Sequence, residues 1–192
     1  MSLPRLPILV LFVLLFSVPT VAAAQGNDKE ALSPCSEVLL LINDDYYKIL
    51  MRHIREAKKE ILIAAYIFKT SPRPGMPGTI VDALAAAAKR GVMVRVLLEK
   101  SNNKKDSLDE YNKITAQRLL RYNIPICFDS PKKTTHSKLV VIDGRYVFIG
   151  SHNLTTSGLS RNNEVSVCID SPILALSAKK YIQSACYYAV RN

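Results

Sequence analysis

The chain has 192 residues, 26 Lys plus Arg against 16 Asp plus Glu, and 48% apolar content, which excludes a disordered tail and a polytopic membrane protein. With 7 Gly and 10 Pro it is not collagenous or low-complexity, and 4 Cys over this length do not make a disulfide scaffold, so one domain with an ordinary hydrophobic core is expected. The formal charge of +10 favours polyanionic partners, nucleic acid or anionic lipid headgroups, without choosing between them.

Residues 1–24 carry Arg5, an apolar run over 6–18, and Ala22, Ala23 and Ala24 ahead of Gln25, the layout of a secretory signal peptide. The run is short for a spanning helix, which needs about 20 residues, yet no charge falls between Arg5 and Asp28. An uncleaved membrane anchor over 6–24 is therefore the alternative to a secreted or periplasmic protein. Cleavage after Ala24 would leave 25 basic and 16 acidic side chains, a formal +9, so the basic character belongs to the folded part. Export would place Cys35, Cys127, Cys168 and Cys186 in an oxidising space, where four cysteines allow 3 complete pairings. The competing reading makes Cys127 and Cys168 small apolar residues of core strands. No CxxC and no Cys/His cluster at zinc spacing is present, so no thiol-based metal site is expected.

The polar stretch 25–34 reads as a linker, and 35–192 as the folded domain. A strand is expected over 38–42, followed by a helix capped by Asp44 or Asp45 and running to about Lys59, with Ile49, His53, Ile54 and Ala57 on one face. Residues 61–68 read as a buried strand. The stretch 71–78 contains Pro72, Pro74, Pro77, Gly75 and Gly78 and is expected to be loop throughout. Thr79 then caps an Ala-rich helix stopped by Gly91, and a strand follows over 92–98. After a charged loop over 99–106, Ser107 opens a helix to about Tyr122, and 124–128 reads as a strand despite Pro125. From His136 onward two β-rich runs flank Asp143-Gly144, a hairpin signal. A further strand over 164–169 and a helix from Pro172 to about Tyr188 complete the chain. This alternation predicts an α/β domain with a mixed β-sheet sandwiched between helices.

The stretch from Thr135 to Gly144, followed by 148–153, is where polar residues interrupt an apolar strand pattern. Side chains alternate along a strand, so His136 and Lys138 share a face. A hairpin loop of two residues, in either register, adds Ser151 and Asn153 to that face, because two-residue slips preserve parity. A three-residue loop would break the argument. An imidazole beside a fixed cation, an amide and a hydroxyl suits a phosphodiester: the ring nitrogen attacks phosphorus while Lys and Asn stabilise the non-bridging oxygens.

His136-x-Lys138-x4-Asp143, then Gly150-Ser151-x-Asn153, then Asn163-Glu164, resembles the HKD signature of the phospholipase D superfamily. Weaker similarity runs upstream through 63–66 and 89–96. One motif and a compact chain make it most similar to the single-motif, bacterial nuclease-like branch, with mitochondrial cardiolipin-hydrolase-like members as the nearest alternative. The resemblance implies a phospholipase D/nuclease-like fold and a catalytic set of His136, Lys138, Asp143, Asn153 and Glu164, with Ser151 in support. His136 would form a phosphohistidine, and the same residue of a second subunit would protonate the leaving oxygen, so a homodimer is implied. Lys138 and Asn153 would hold the phosphoryl oxygens. Glu164 would accept a hydrogen bond from the other ring nitrogen of His136 and fix its tautomer. Asp143, at the far end of the strand beside the turn, is expected to be structural. No metal and no cofactor is required.

Arg73, Lys132 and Lys133, with Lys100, Lys104 and Lys105, are candidates for tracking a phosphate backbone. The expected activity is a metal-independent phosphodiesterase, in the first place a nonspecific endonuclease on DNA or RNA. The alternatives are phospholipase D-type hydrolysis of phospholipids and a noncatalytic module that binds nucleic acid or membrane.

Overall fold

In the computed structural model, residues 37–101 and 107–190 are described. The expected leader, the linker, Cys35, Lys104 and Lys105 lie outside the described residues. The elements are β1 (Glu37–Ile42), α1 (Asp44–Glu56), β2 (Glu60–Ala65), α2 (Met76–Lys89), β3 (Met93–Leu98), α3 (Ser107–Leu120) and β4 (Ile126–Phe128). They continue as β5 (Lys138–Ile142), β6 (Tyr146–Gly150), α4 (Thr156–Ser160), β7 (Val165–Asp170), α5 (Pro172–Ala185) and β8 (Tyr188–Val190). The strands form one sheet in the order β1-β7-β6-β5-β2-β3-β4-β8. Its centre, β2-β3-β4, is parallel, and every other neighbouring pair is antiparallel.

Helices cover both faces, as the sequence predicts. On one face Leu50 and Ile54 of α1, Ile80 and Leu84 of α2 and Leu119 of α3 pack on Ile61, Ile63, Val140 and Phe148. On the other, Ala175, Ala178 and Ile182 of α5 pack on Leu62, Ala64, Val141 and Val147. Both faces of β2 are therefore buried, which is why its sequence is apolar without alternation. Burying each Leu or Ile contributes about 1.5–3 kcal/mol, and the two-sided core fixes the register in which the site-bearing strands meet.

Several boundaries differ from expectation for identifiable reasons. The N-cap of α1 is Asn43, at φ 53°, rather than Asp44 or Asp45, and its side chain serves another segment. That helix stops at Glu56 because the Lys58, Lys59 and Glu60 amides turn to the Asp143 carboxylate. The Pro/Gly stretch is loop only to Gly75. Met76, Pro77 and Gly78 already belong to α2, whose first turn tolerates a proline because its amides have no intrahelical acceptor. At the C-terminus α5 ends at Ala185 and Tyr188 enters β8, which pairs with β4, so sheet pairing overrides the helical pattern there. Cys127 is not a simple apolar core residue: it is disulfide-bonded to Cys186, joining β4 to the end of α5, whereas Cys168 is a buried thiol.

The β5–β6 hairpin has a three-residue loop, because Ile142 pairs with Tyr146. Asp143 and Gly144 take φ 56° and 64°, and the extra residue, Arg145, is held by Asp170 at 2.6 Å and through its carbonyl by the Ser171 amide at 3.0 Å. The parity expected from a two-residue loop therefore fails: continuing the register sets Lys138 opposite Gly150, not Ser151.

Candidate active site

What brings the polar residues together is the end of the sheet rather than one column of side chains. β5 starts at Lys138, β6 stops at Gly150, β7 starts at Val165 and β2 stops at Ala65, and all four ends lie side by side in the ladders. Gly150 is required there, since a Cβ would overlap the Ser166 side chain and its Cα on β7. Beyond these ends the chain is free of sheet parity. Ser151 leaves β6, donates its hydroxyl to the Glu164 carboxylate and its amide to the Val165 carbonyl, and accepts the Val165 amide on its hydroxyl oxygen.

His136 is exposed and precedes β5. Its ring lies 4.3 Å from the Tyr66 ring. Lys138 Nζ donates to the His136 carbonyl at 2.9 Å, stands 3.4 Å from His136 Nδ1 and sits 4.9 Å over the Tyr66 ring. Burial, then the Lys138 charge, holds the His136 imidazole below its ordinary value. It is therefore a neutral ring at neutral pH, the form with a lone pair for attack. Burial also lowers the Lys138 ammonium, and the Glu164 carboxylate opposes that shift. Lys138 thus lies electrostatically between His136 and Glu164.

Glu164 is buried. Burial pushes its carboxyl up, but hydrogen bonds from Ser151 and Asn162 and the nearby His152 and Lys138 outweigh it, so the net direction is down. Its partners are Ser151 at Oε2 and Asn162 Nδ2, 2.9 Å from Oε1. Among the hydrogen bonds of the described residues none joins Glu164 to His136, so the expected tautomer-fixing contact is not made within this chain. The Lys138 ammonium can only donate, so its contact with Nδ1 leaves the proton of the neutral ring on Nε2.

Asn153 is half-buried, with Oδ1 enclosed and unpartnered. Its backbone is fixed by α4: a Cβ on Gly158 would meet the Asn153 carbonyl and amide, so only glycine lets this turn pack so closely. The following Leu154 bridges to Phe68, which places the segment beside the chain leaving β2. Asp143 lies at the opposite end of β5, accepting from the Lys58, Lys59 and Glu60 amides. It does not join the His136 cluster. Arg73, Lys132 and Lys133 are exposed on loops, and among the described residues no hydrogen bond joins them to His136.

Sequence reasoning missed three supports. Asn43 accepts the Glu164 amide on its side chain at 2.9 Å, donates its own amide to the Glu164 carbonyl at 2.9 Å, and receives His152 Nε2 on its carbonyl at 2.8 Å. Asn162, rather than the motif's Asn163, bonds the Glu164 side chain. Asn112 of α3 holds the segment after β2, bonding the Tyr66 carbonyl and the Phe68 amide at 2.9 Å each. A polar residue on a helix face that is otherwise buried was the one available signal for Asn112.

Residues 50–186 match the family described as cardiolipin synthase, PLD-like domain. The chain belongs to the phospholipase D superfamily. Among curated relatives of this superfamily, a phospholipase D of Rickettsia prowazekii is 32% identical over 138 residues, covering 71% of this chain and 59% of that protein. Cardiolipin synthase B of Escherichia coli is 30% identical over 152 residues, covering 72% of this chain and 36% of the relative. The chain therefore spans about three-fifths or less of the length of these curated relatives. Nuc from Salmonella typhimurium, a phospholipase D family member of solved structure, superposes with a TM-score of 0.66 at 26% identity, over 81% of this chain and 100% of Nuc. NucT from Helicobacter pylori shares the fold, with a TM-score of 0.60 at 23% identity. The phospholipase D superfamily acts on phosphodiesters, and the fold seen here is its mixed sheet flanked by helices.

Proposed function

We propose that this chain is a phosphodiesterase that cleaves nucleic acid through a covalent intermediate on His136. The observation that carries the reading is one exposed imidazole, held neutral, beside a half-buried ammonium at the sheet end where Ser151 and Glu164 meet. In the first step the His136 lone pair forms a bond to phosphorus as the bond to the leaving oxygen breaks, and that oxygen takes a proton from a second imidazole. In the second step water attacks the phosphohistidine, gives its proton to that second imidazole and regenerates His136. Lys138 and Asn153 are assigned to the phosphoryl oxygens, where charge changes most. Attack from Nε2 moves the ring proton to Nδ1, so the Lys138–Nδ1 contact gives way when substrate is seated.

The second imidazole is assigned to another copy, because the other histidines of this sequence are engaged elsewhere. The chain has 3 histidines. His152 is fully buried, stacked on Tyr46 and bonded at both nitrogens to Ser166 and the Asn43 carbonyl. His53 is half-buried against Tyr146 and Phe148 with Nδ1 2.9 Å from the Ile49 carbonyl. A homodimer is supported by an apolar surface: Val38, Leu40, Ile42, Ile149 and Val165 are all exposed on the part of the sheet that α5 leaves uncovered. The patch adjoins the site, because Val165 and Ile149 each stand within two residues of Glu164 and Ser151.

The net positive charge favours nucleic acid, and the Cys127–Cys186 bond suits export. Phospholipid hydrolysis is the second reading, favoured by the relatives named phospholipase D. The test compares the purified protein with His136→Ala, in excess chelator, on plasmid DNA, RNA and phosphatidylcholine vesicles. Cleavage of nucleic acid by the wild type alone is expected. Equal cleavage by the variant, or a strict need for added divalent metal, overturns the mechanism, and lipid turnover alone moves the substrate to the membrane.

A further inference from the structure

Two carboxylic acids are buried together just past the ends of adjacent parallel strands, Glu99 after β3 and Asp129 after β4, at 4% and 1% exposure. Asp129 Oδ1 accepts the Lys100 amide at 2.8 Å. Asp129 Oδ2 and Glu99 Oε2 both accept the same backbone donor, the Thr135 N–H, at 2.8 and 2.5 Å. Two acceptors on one N–H are held close to each other, so a proton on one carboxyl puts the other within its reach. A bond between two carboxyl groups needs a proton on one of them, because two carboxylates at such range repel and neither has a hydrogen to donate. No cation takes that proton's place among the described residues. The charged groups that face Glu99 are Asp129 and, from α3, Asp109, both acidic. Lys100 directs its ammonium over the Tyr188 ring, and Lys132 and Lys133 are exposed on the turn that leads to Thr135. From α3, Asn112 bonds the Glu99 carbonyl, not its carboxyl.

Thr135 immediately precedes His136. On the other side of His136, the Ser137 carbonyl accepts the Tyr66 amide at 2.9 Å. His136 is thus strung between two fixed backbone bonds, one made by the acid pair and one by the residue whose ring it faces.

We propose that Glu99 and Asp129 share one proton and together act as the positioning pair for His136, so that losing the shared proton leaves the Thr135 amide on one carboxylate instead of two and moves the nucleophile off its line. With the proton present the pair carries one negative charge and both carboxyls converge on one N–H. Without it two charges repel across the same donor, and only one can keep it. Burial first, then the hydrogen bond to Asp129, pushes the Glu99 carboxyl up to about 8, so the release falls on the alkaline side of neutrality. The functional half of this inference rests on the proposed role of His136, and the positional half does not.

The test uses the full chain and Glu99→Gln. A glutamine can donate its amide to Asp129 and accept from Thr135, which keeps the clamp and removes the titrating proton. The His136 ring resonances are followed by NMR from neutral to alkaline pH, alongside turnover of whichever phosphodiester the wild type cleaves. The wild type is expected to show an inflection near pH 8, above the titration of the imidazole itself, with kcat falling and KM little changed. Glu99→Gln is expected to retain most of the neutral-pH turnover and to lose the inflection. Glu99→Ala is expected to lose about tenfold to a hundredfold in kcat at every pH, the scale set by misplacing a reacting group by an ångström. Where that variant fails to fold, Asp129→Asn is the substitute, since its amide donates to Glu99 without a shared proton and also abolishes the inflection. A Glu99→Gln titration that superimposes on the wild type, or a folded Glu99→Ala with wild-type kcat, overturns the proposal. Absence of turnover on every substrate would defeat the phosphodiesterase reading alone, because the NMR inflection still decides whether the pair positions His136.

Discussion

Replacing Asp143 separates the two roles that its place in the HKD signature allows. Its carboxylate accepts the Lys58 amide at 3.0 Å, the Lys59 amide at 2.7 Å and the Glu60 amide at 3.2 Å, while its own backbone sits at φ 56°. In Asp143→Ala the Lys58 and Lys59 amides are exposed and find water, so the loss concentrates on Glu60, which is only 7% exposed. One charge-assisted hydrogen bond, at about 1.5–3 kcal/mol, and a Cβ without a polar group in the left-handed region, at about 1–2 kcal/mol, give a destabilisation of about 3 kcal/mol. For a domain of this size that lowers Tm by roughly 6–12 °C. Asp143→Asn tolerates the left-handed backbone and keeps an acceptor, so it should lose about half as much. Thermal melts followed by far-UV circular dichroism measure the first quantity, and turnover per folded molecule at 25 °C measures the second. Melts within a degree of wild type would refute the clamp. A folded Asp143→Ala as inactive as His136→Ala would refute the structural role and return Asp143 to the chemistry.

Gly150→Ala forces β7 away from β6 at Ser166, and overpacking of this kind costs about 1–3 kcal/mol. The urea midpoint should fall accordingly, and turnover should fall with it because Ser151 and Glu164 flank the displaced ladder. An unchanged midpoint would mean that the strands meet differently. The depressed His136 imidazole puts the acid limb of turnover below the ordinary imidazole range: the ring is neutral above its own value and cationic below it. Lys138→Met removes the positive neighbour, so the His136 titration seen by NMR should move up, only part of the way because burial remains. A midpoint that stays put or moves down would remove Lys138 as a cause.

The layered α/β architecture was legible because buried strands such as 61–65 and amphipathic helices such as α1 carry their period in the side chains themselves. His136 and Lys138 stood out for a related reason, as polar residues in places where the pattern asks for apolar ones, whereas Glu164 came only with the resemblance to the HKD signature. The hairpin register was not legible. Asp143-Gly144 announces a turn, but whether Arg145 belongs to it depends on Asp170 and Ser171, far along the chain. Asn43 was hidden by Asp44 and Asp45, which are equally good caps, since nothing local says that its side chain is spent on Glu164. The Glu99–Asp129 pair could not be read either. Each acid looks like loop polarity after a strand, and only parallel pairing of β3 with β4 sets them against each other. β8 was lost to the helical pattern that precedes it, because its partner, β4, is distant in sequence.

β1 is the first of the described strands to be synthesised and waits longest for a neighbour. Among the described strands it pairs only with β7, so its five apolar side chains wait through the making of nearly every other element, and loop closure over such a separation is slow. The join that follows β1 is the same one in which Asn43 exchanges backbone and side-chain bonds with Glu164. A nascent or truncated chain therefore carries His136 and Lys138 without a settled carboxylate beside them. Order of synthesis thus leaves the candidate site incomplete until β7 has been made and β1 has joined it.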